Sequence, residues 1–170
     1  GLIVGSSNED GGIDRQNLAT VMPVYSALPG MRCRWHSFAE AGTFSDDYIT
    51  QINEGMDYLN DDVDILIIGN TYEVSVGDVE RVIANISSSW NRIEDIPYIL
   101  LIEYPDRDGD PVEAIEKYNQ TINEWARDAP NVHVVKYPRY IVDEVGMHAS
   151  EKCLFALGAQ IYVTLIENGW

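Results

Sequence analysis

A histidine stands at position 148, in Gly146-Met147-His148-Ala149-Ser150, directly ahead of an apolar-periodic run that continues to the C-terminus. Ser150 followed by Glu151 has the form of a helix start, with a hydroxyl at the cap and an acid near the positive end of the helix. At the other end of the chain, Leu2-Ile3-Val4 reads as a strand that runs into Gly5-Ser6-Ser7-Asn8-Glu9-Asp10-Gly11-Gly12. A hydroxyl on a tight turn after the first strand, with an imidazole before the last helix, is a nucleophile–base arrangement. A serine hydroxyl is a poor nucleophile until a base takes its proton, and an imidazole titrating near working pH does this well. The imidazole in turn needs an acceptor that fixes its tautomer. Asp143 and Glu144 are the nearest carboxylates, and a backbone carbonyl is the remaining option.

The elements that must position these groups alternate in type. After the strand Leu2–Val4, a helix is expected from Asp14 to about Leu28, with Leu18, Val21, Met22 and Tyr25 on its apolar stripe and Pro23 inside it. Met31–Phe38 reads as a second strand, and Ser45 to about Leu59 as a second helix. Val63–Ile68 is nearly continuous in apolar residues, which suits a central strand buried on both faces. Val76 to Trp90 reads as a third helix, Pro97–Ile102 as a fourth strand and Pro111–Arg127 as a fourth helix. Asn131–Val135 is the fifth strand, and Ser150–Ile166 closes the chain as a helix.

This order predicts one α/β domain over residues 1–170: a three-layer α/β/α sandwich, flavodoxin-like, around a mostly parallel five-stranded sheet. Sites in open sheets of this kind form outside the carboxyl ends of the strands. The loops that matter are therefore Gly5–Gly12, Ala41–Asp46, Gly69–Val74 and Tyr137–Ser150. A phosphate-binding reading of the first loop is opposed by Glu9 and Asp10 and by the lack of Lys or Arg in it.

These four loops together resemble the motif blocks of the SGNH (GDSL-type) hydrolases, a family of esterases and lipases. The resemblance runs along the whole chain in order and spacing. Gly5-Ser6-Ser7 stands where the family has Gly-Asp-Ser, so the resemblance makes Ser7 the nucleophile, with Ser6 in place of the Asp. Gly42, in Ala41-Gly42-Thr43-Phe44-Ser45-Asp46, matches the glycine whose N–H binds the oxyanion. Asn70 matches the oxyanion Asn of Gly-x-Asn-Asp, one place early in Gly69-Asn70-Thr71-Tyr72-Glu73. His148 matches the family's base, while Val145 occupies the position of the triad Asp. The resemblance implies a serine esterase acting on a small ester, such as a carbohydrate O-acetyl or a short acyl group, with Ser7 N–H, Gly42 N–H and the Asn70 amide as oxyanion donors. It implies no cofactor and no metal. The three departures leave open a second reading, a catalytically degenerate domain serving as a structural or binding module in a larger assembly, such as a virion or cell-surface complex.

Bulk properties narrow the partners. The chain carries 11 Lys and Arg against 28 Asp and Glu, a net charge of −17. That excludes nucleic acid and an anionic membrane surface, which both call for a positive face. No apolar run reaches the ~18 residues of a membrane-spanning helix, and no stretch of these residues reads as a signal peptide. A chain that opens with Gly directly on a strand suggests a processed product or a segment of a longer polypeptide, in an extracellular or virion-associated setting. Cys33 and Cys153 form no metal-ligand pattern and read as free thiols, with a disulfide between them left open. His36 and His133 lie in or beside strands and read as structural. Asn85-Ile86-Ser87 and Asn119-Gln120-Thr121 match the glycosylation pattern but fall on helices. Asp106–Asp110 reads as a solvated turn, and Glu103 and Tyr104 follow the fourth strand into the cleft.

Overall fold

The computed structural model describes residues 1–5, 18–28, 32–40, 43–69, 71–105, 109–138 and 149–170. Five strands form one parallel sheet: β1 (Leu2–Val4), β2 (His36–Ser37), β3 (Ile65–Ile68), β4 (Tyr98–Ile102) and β5 (Val132–Val135). Their spatial order is β2-β1-β3-β4-β5, so the chain reverses direction across the sheet between β1 and β3. The register is continuous, with Leu2 opposite Leu66, Leu66 opposite Ile99 and Ile99 opposite Val132. All four residues of β3 are fully buried, as the continuous apolar run predicts.

Alternation along the strands divides the core into two layers. Leu2, Val4, Leu66, Ile68, Ile99 and Leu101 face the layer built by helices α2 (Ser45–Tyr58), α4 (Val79–Ser88) and α6 (Val112–Asp128). Ile3, Ile65, Ile67, Leu100 and Ile102 face α1 (Leu18–Tyr25) and α7 (Glu151–Glu167). Two single-turn helices, α3 (Tyr72–Ser75) and α5 (Trp90–Ile93), flank α4. The three-layer α/β/α architecture expected from the element order is the one observed. No helix among the described residues is long and apolar enough to cross a membrane.

Two elements differ from the sequence expectation. The second strand is two residues long rather than Met31–Phe38, because it is an edge that pairs only with the three-residue β1. Where one helix is expected over Val76–Trp90, the chain forms three short ones, α3, α4 and α5, between Tyr72 and Ile93. The chain turns at Gly77, whose φ is 88°, and bends again at Ser89. Thr71 caps the first piece by accepting the Glu73 N–H, which starts the helical turn at Tyr72 instead of Val76. Pro23 lies inside α1, as anticipated. Ser150 caps α7 by accepting the Cys153 N–H at 3.3 Å.

Helix α7 approaches α1 closely through Gly158. A Cβ there would lie 2.6 Å from both Val21 Cγ1 and Tyr25 Cε2. The Tyr25 ring cannot simply swing aside, because its hydroxyl donates to the Phe155 carbonyl at 2.6 Å. Gly158→Ala is expected to lower stability by ~1–2 kcal/mol through overpacking, read as a shifted urea midpoint at unchanged slope.

Cys33 and Cys153 are thiols not joined in a disulfide, Cys153 buried and Cys33 half-buried. Burial pushes the Cys33 thiol up, with the nearby N-terminal ammonium acting in the opposite direction. A thiol reagent at neutral pH is expected to modify Cys33 slowly and Cys153 only on unfolding. Rapid modification of Cys153 in the native protein would contradict that packing. Both glycosylation-like asparagines have structural work on helices. Asn119 donates to the Tyr104 carbonyl and accepts the Tyr104 N–H, holding the chain as it leaves β4. Asn85 donates to Ser45 Oγ and to Asp46.

Candidate active site

Ser7, Gly42, Asn70, Asp143, Glu144 and His148, the residues picked out by the sequence, all lie outside the described residues. The structure describes the segments that lead to them. Ser7 is two residues past Gly5, Gly42 one before Thr43, Asn70 between Gly69 and Thr71, and His148 one before Ala149. In a parallel sheet every strand-to-helix connection leaves from the same edge. β1, β3 and the start of α7 therefore deliver these segments to the carboxyl end of the sheet. Ala149 is buried there against Val21, Cys153 and Leu154.

The end of β1 is held by a buried amide. Gly5 has φ of 151°, a conformation that a side chain disfavours. Its N–H donates to Gln51 Oε1 at 2.8 Å, and its carbonyl accepts Gln51 Nε2 at 3.1 Å. The backbone donor at Gly5 requires an oxygen opposite it, which fixes the orientation of the Gln51 amide. The Gly5 carbonyl also accepts the Glu40 N–H at 3.3 Å. The Thr43 hydroxyl is shared between the Glu40 carbonyl at 2.7 Å and the Gly5 carbonyl at 3.2 Å. Gln51 Nε2 lies 3.3 Å from Thr43 Oγ1, so one side chain ties the segment before Ser7 to the segment after Gly42.

The end of β3 is held from the same helix. Gly69 N–H continues the sheet ladder to the Val4 carbonyl at 3.0 Å. The Gly69 carbonyl accepts the hydroxyl of the fully buried Tyr48 at 3.1 Å. One residue past Asn70, Thr71 donates its hydroxyl to Glu73. Glu73 is 2% exposed and also accepts the Ser45 hydroxyl at 2.6 Å and the Ser45 N–H at 2.9 and 3.1 Å. Arg81 Nε stands 3.7 Å from Glu73 and pairs with Asp46 on the exposed side. Hydrogen bonds from Arg81 and Asn85 hold the Asp46 carboxyl below the usual range.

Ser45, Tyr48 and Gln51 thus form an inward polar row on α2, spaced i, i+3, i+6, each reaching the end of β1 or the β3–α3 loop. The sequence expectation for α2 is only a helix from Ser45 to about Leu59. A signal was present: Ser45 and Gln51 fall in phase with the buried stripe Tyr48, Ile52 and Met56, where an ordinary core stripe would be apolar. Glu73 carried no comparable signal, since an acid three residues from a loop asparagine is ordinarily solvated. Glu103 and Tyr104 leave β4 with the Glu103 N–H bonded to the Val135 carbonyl and Tyr104 buried. Among the described residues no group of His, Cys, Asp and Glu is arranged to hold a metal.

No family model matches the sequence, and no curated protein matches it. Solved structures do match. The psychrotrophic esterase EstA from Pseudoalteromonas sp. superposes with a TM-score of 0.75 at 9% identity, covering 98% of this chain and 96% of that one. A member of the lipolytic protein G-D-S-L family from Veillonella parvula gives 0.74 at 12% identity, with 97% of each chain covered. A family 3 carbohydrate esterase from Clostridium thermocellum gives 0.67 at 15% identity, covering 98% of this chain and 94% of that one. Likeness over whole chains at such low identity is a likeness of architecture, and this chain is built on the fold of the GDSL-type (SGNH) hydrolases.

Proposed function

We propose that this chain is a serine ester hydrolase acting on a small ester, such as an O-acetyl group on a carbohydrate or a short acyl chain. The observation that carries the reading is the buried clamp on Gly5. On this fold, Gln51 fixes the end of β1 two residues before Ser7 and ties it to the segment beside Gly42. The esterases among the structural neighbours support the reaction class, and the carbohydrate esterase among them supports the substrate class.

Ser7 Oγ attacks the ester carbonyl carbon while His148 takes its proton. The tetrahedral oxyanion is met by Ser7 N–H, Gly42 N–H and the Asn70 amide. Collapse breaks the carbon–oxygen bond to the alcohol, which leaves with the proton from His148. Water, deprotonated by His148, attacks the acyl-enzyme; the acid departs and Ser7 recovers its proton. Asp143 or Glu144 orients His148 in place of the absent triad Asp. The cycle consumes one water and needs neither metal nor cofactor.

Turnover of p-nitrophenyl acetate and butyrate by wild type, Ser7→Ala and His148→Ala tests the reading. Loss in both variants supports it. Absent turnover in wild type, or turnover unchanged in both variants, overturns it in favour of a structural or binding module on the same fold.

A further inference from the structure

Glu73 is a buried acid that the proposed reaction does not use, and the donors it gathers come from two different loops. One is the Thr71 hydroxyl, beside Asn70; the others are the Ser45 N–H and hydroxyl, three residues past Gly42. Ser45 is the first residue of α2, and its N–H is one of the donors that a helix start leaves unpaired. The side chain at the cap position bonds the N–H of the second or third helical residue, so the Ser45 donor needs a partner from elsewhere. Here that position is Phe44, which has no atom to offer and makes no side-chain cap bond. Asp47 accepts the Phe44 N–H locally at 2.9 Å, whereas the carboxylate that takes the Ser45 N–H comes from 28 residues away in sequence, from the loop that follows β3. An anion at that end of a helix is also favoured electrostatically.

We propose that Glu73 is a positioning residue, holding the Gly42 and Asn70 segments in one register so that their donors converge on the same oxyanion. This rests on the hydrolase reading above. Asn85, donating to Ser45 Oγ at 2.8 Å, and Arg81, behind the carboxylate, brace it from α4.

The test compares wild type with Glu73→Gln, alone and with Phe44→Asp, which adds a side-chain acceptor for the second and third N–H groups of α2. Amide hydrogen exchange is read over residues 43–46 and 69–73 alongside kcat and KM for p-nitrophenyl acetate. Glu73→Gln should speed exchange in both segments and lower kcat about tenfold with KM within about twofold, as expected when oxyanion donors are misplaced. Adding Phe44→Asp should slow exchange again in 43–46 but restore neither 69–73 nor kcat. Recovery of kcat in the double variant, or exchange in 69–73 unchanged by Glu73→Gln, would overturn the assignment and leave Glu73 a helix cap. Thr71→Val removes one donor and no charge; it should show the same pattern in milder form if Glu73→Gln does not fold. Exchange rising in both segments while Ser7→Ala keeps full turnover would sink the hydrolase reading alone and leave the two-loop clamp standing.

Discussion

Ser7→Ala is expected to lower p-nitrophenyl acetate turnover by ~10⁴-fold or more, and His148→Ala by a similar factor. The physical content lies in the double variant. A nucleophile and its base act as a unit, so removing the second after the first has little left to remove. Ser7→Ala/His148→Ala should therefore be no slower than either single variant. Losses that multiply would mean the two residues act separately and would break the proposed pair. The same assay assigns the orienting acid. Of Asp143→Asn and Glu144→Gln, the one that holds the imidazole tautomer should cost about 10³–10⁴-fold, the other no more than a few-fold. Small effects in both would assign the role to a backbone carbonyl.

Gln51→Leu is expected to destabilise the fold by ~2–3 kcal/mol, although Leu is close to Gln in size and more apolar. The reason is the asymmetry of a buried pair. The Gly5 carbonyl keeps the Glu40 N–H and the Thr43 hydroxyl as donors, but the Gly5 N–H loses its Gln51 acceptor in a site closed to water. For a domain of this size the change corresponds to a Tm about 4–12 °C lower. Gln51→Glu is expected to be as damaging at neutral pH, because its second oxygen would face the Gly5 carbonyl, acceptor against acceptor. It should regain stability toward acid pH, where the protonated carboxyl can donate. Protonation is favoured in the folded state there, so the stability is present at low pH and lost as pH rises. A Gln51→Leu protein as stable as wild type would remove the clamp from the account.

Much of the architecture was legible beforehand because it follows from periodicity. The apolar run ending in Ile65-Leu66-Ile67-Ile68 has no polar position to turn toward water, so it had to be a strand covered on both sides. The helix starts read at Ser45 and Ser150 marked α2 and α7 almost to the residue. The reading went astray where pairing rather than pattern decided. Met31–Phe38 alternates well enough to extend, but an edge strand is only as long as the partner offered to it. Val76–Trp90 is periodic, but Gly77 turns the chain and Thr71 starts a helical turn upstream.

What the sequence by itself determined was the order and type of the elements and the four loops that carry chemistry-bearing residues, because those follow from local spacing of side chains. Only the tertiary structure decided which segments Gln51, Tyr48 and Glu73 bind, up to 46 residues away in sequence. A glutamine or glutamate in a helix or loop reads as solvated until its partners are known. Its burial is stable only where the fold brings complementary donors and acceptors to it, and no local pattern encodes that meeting.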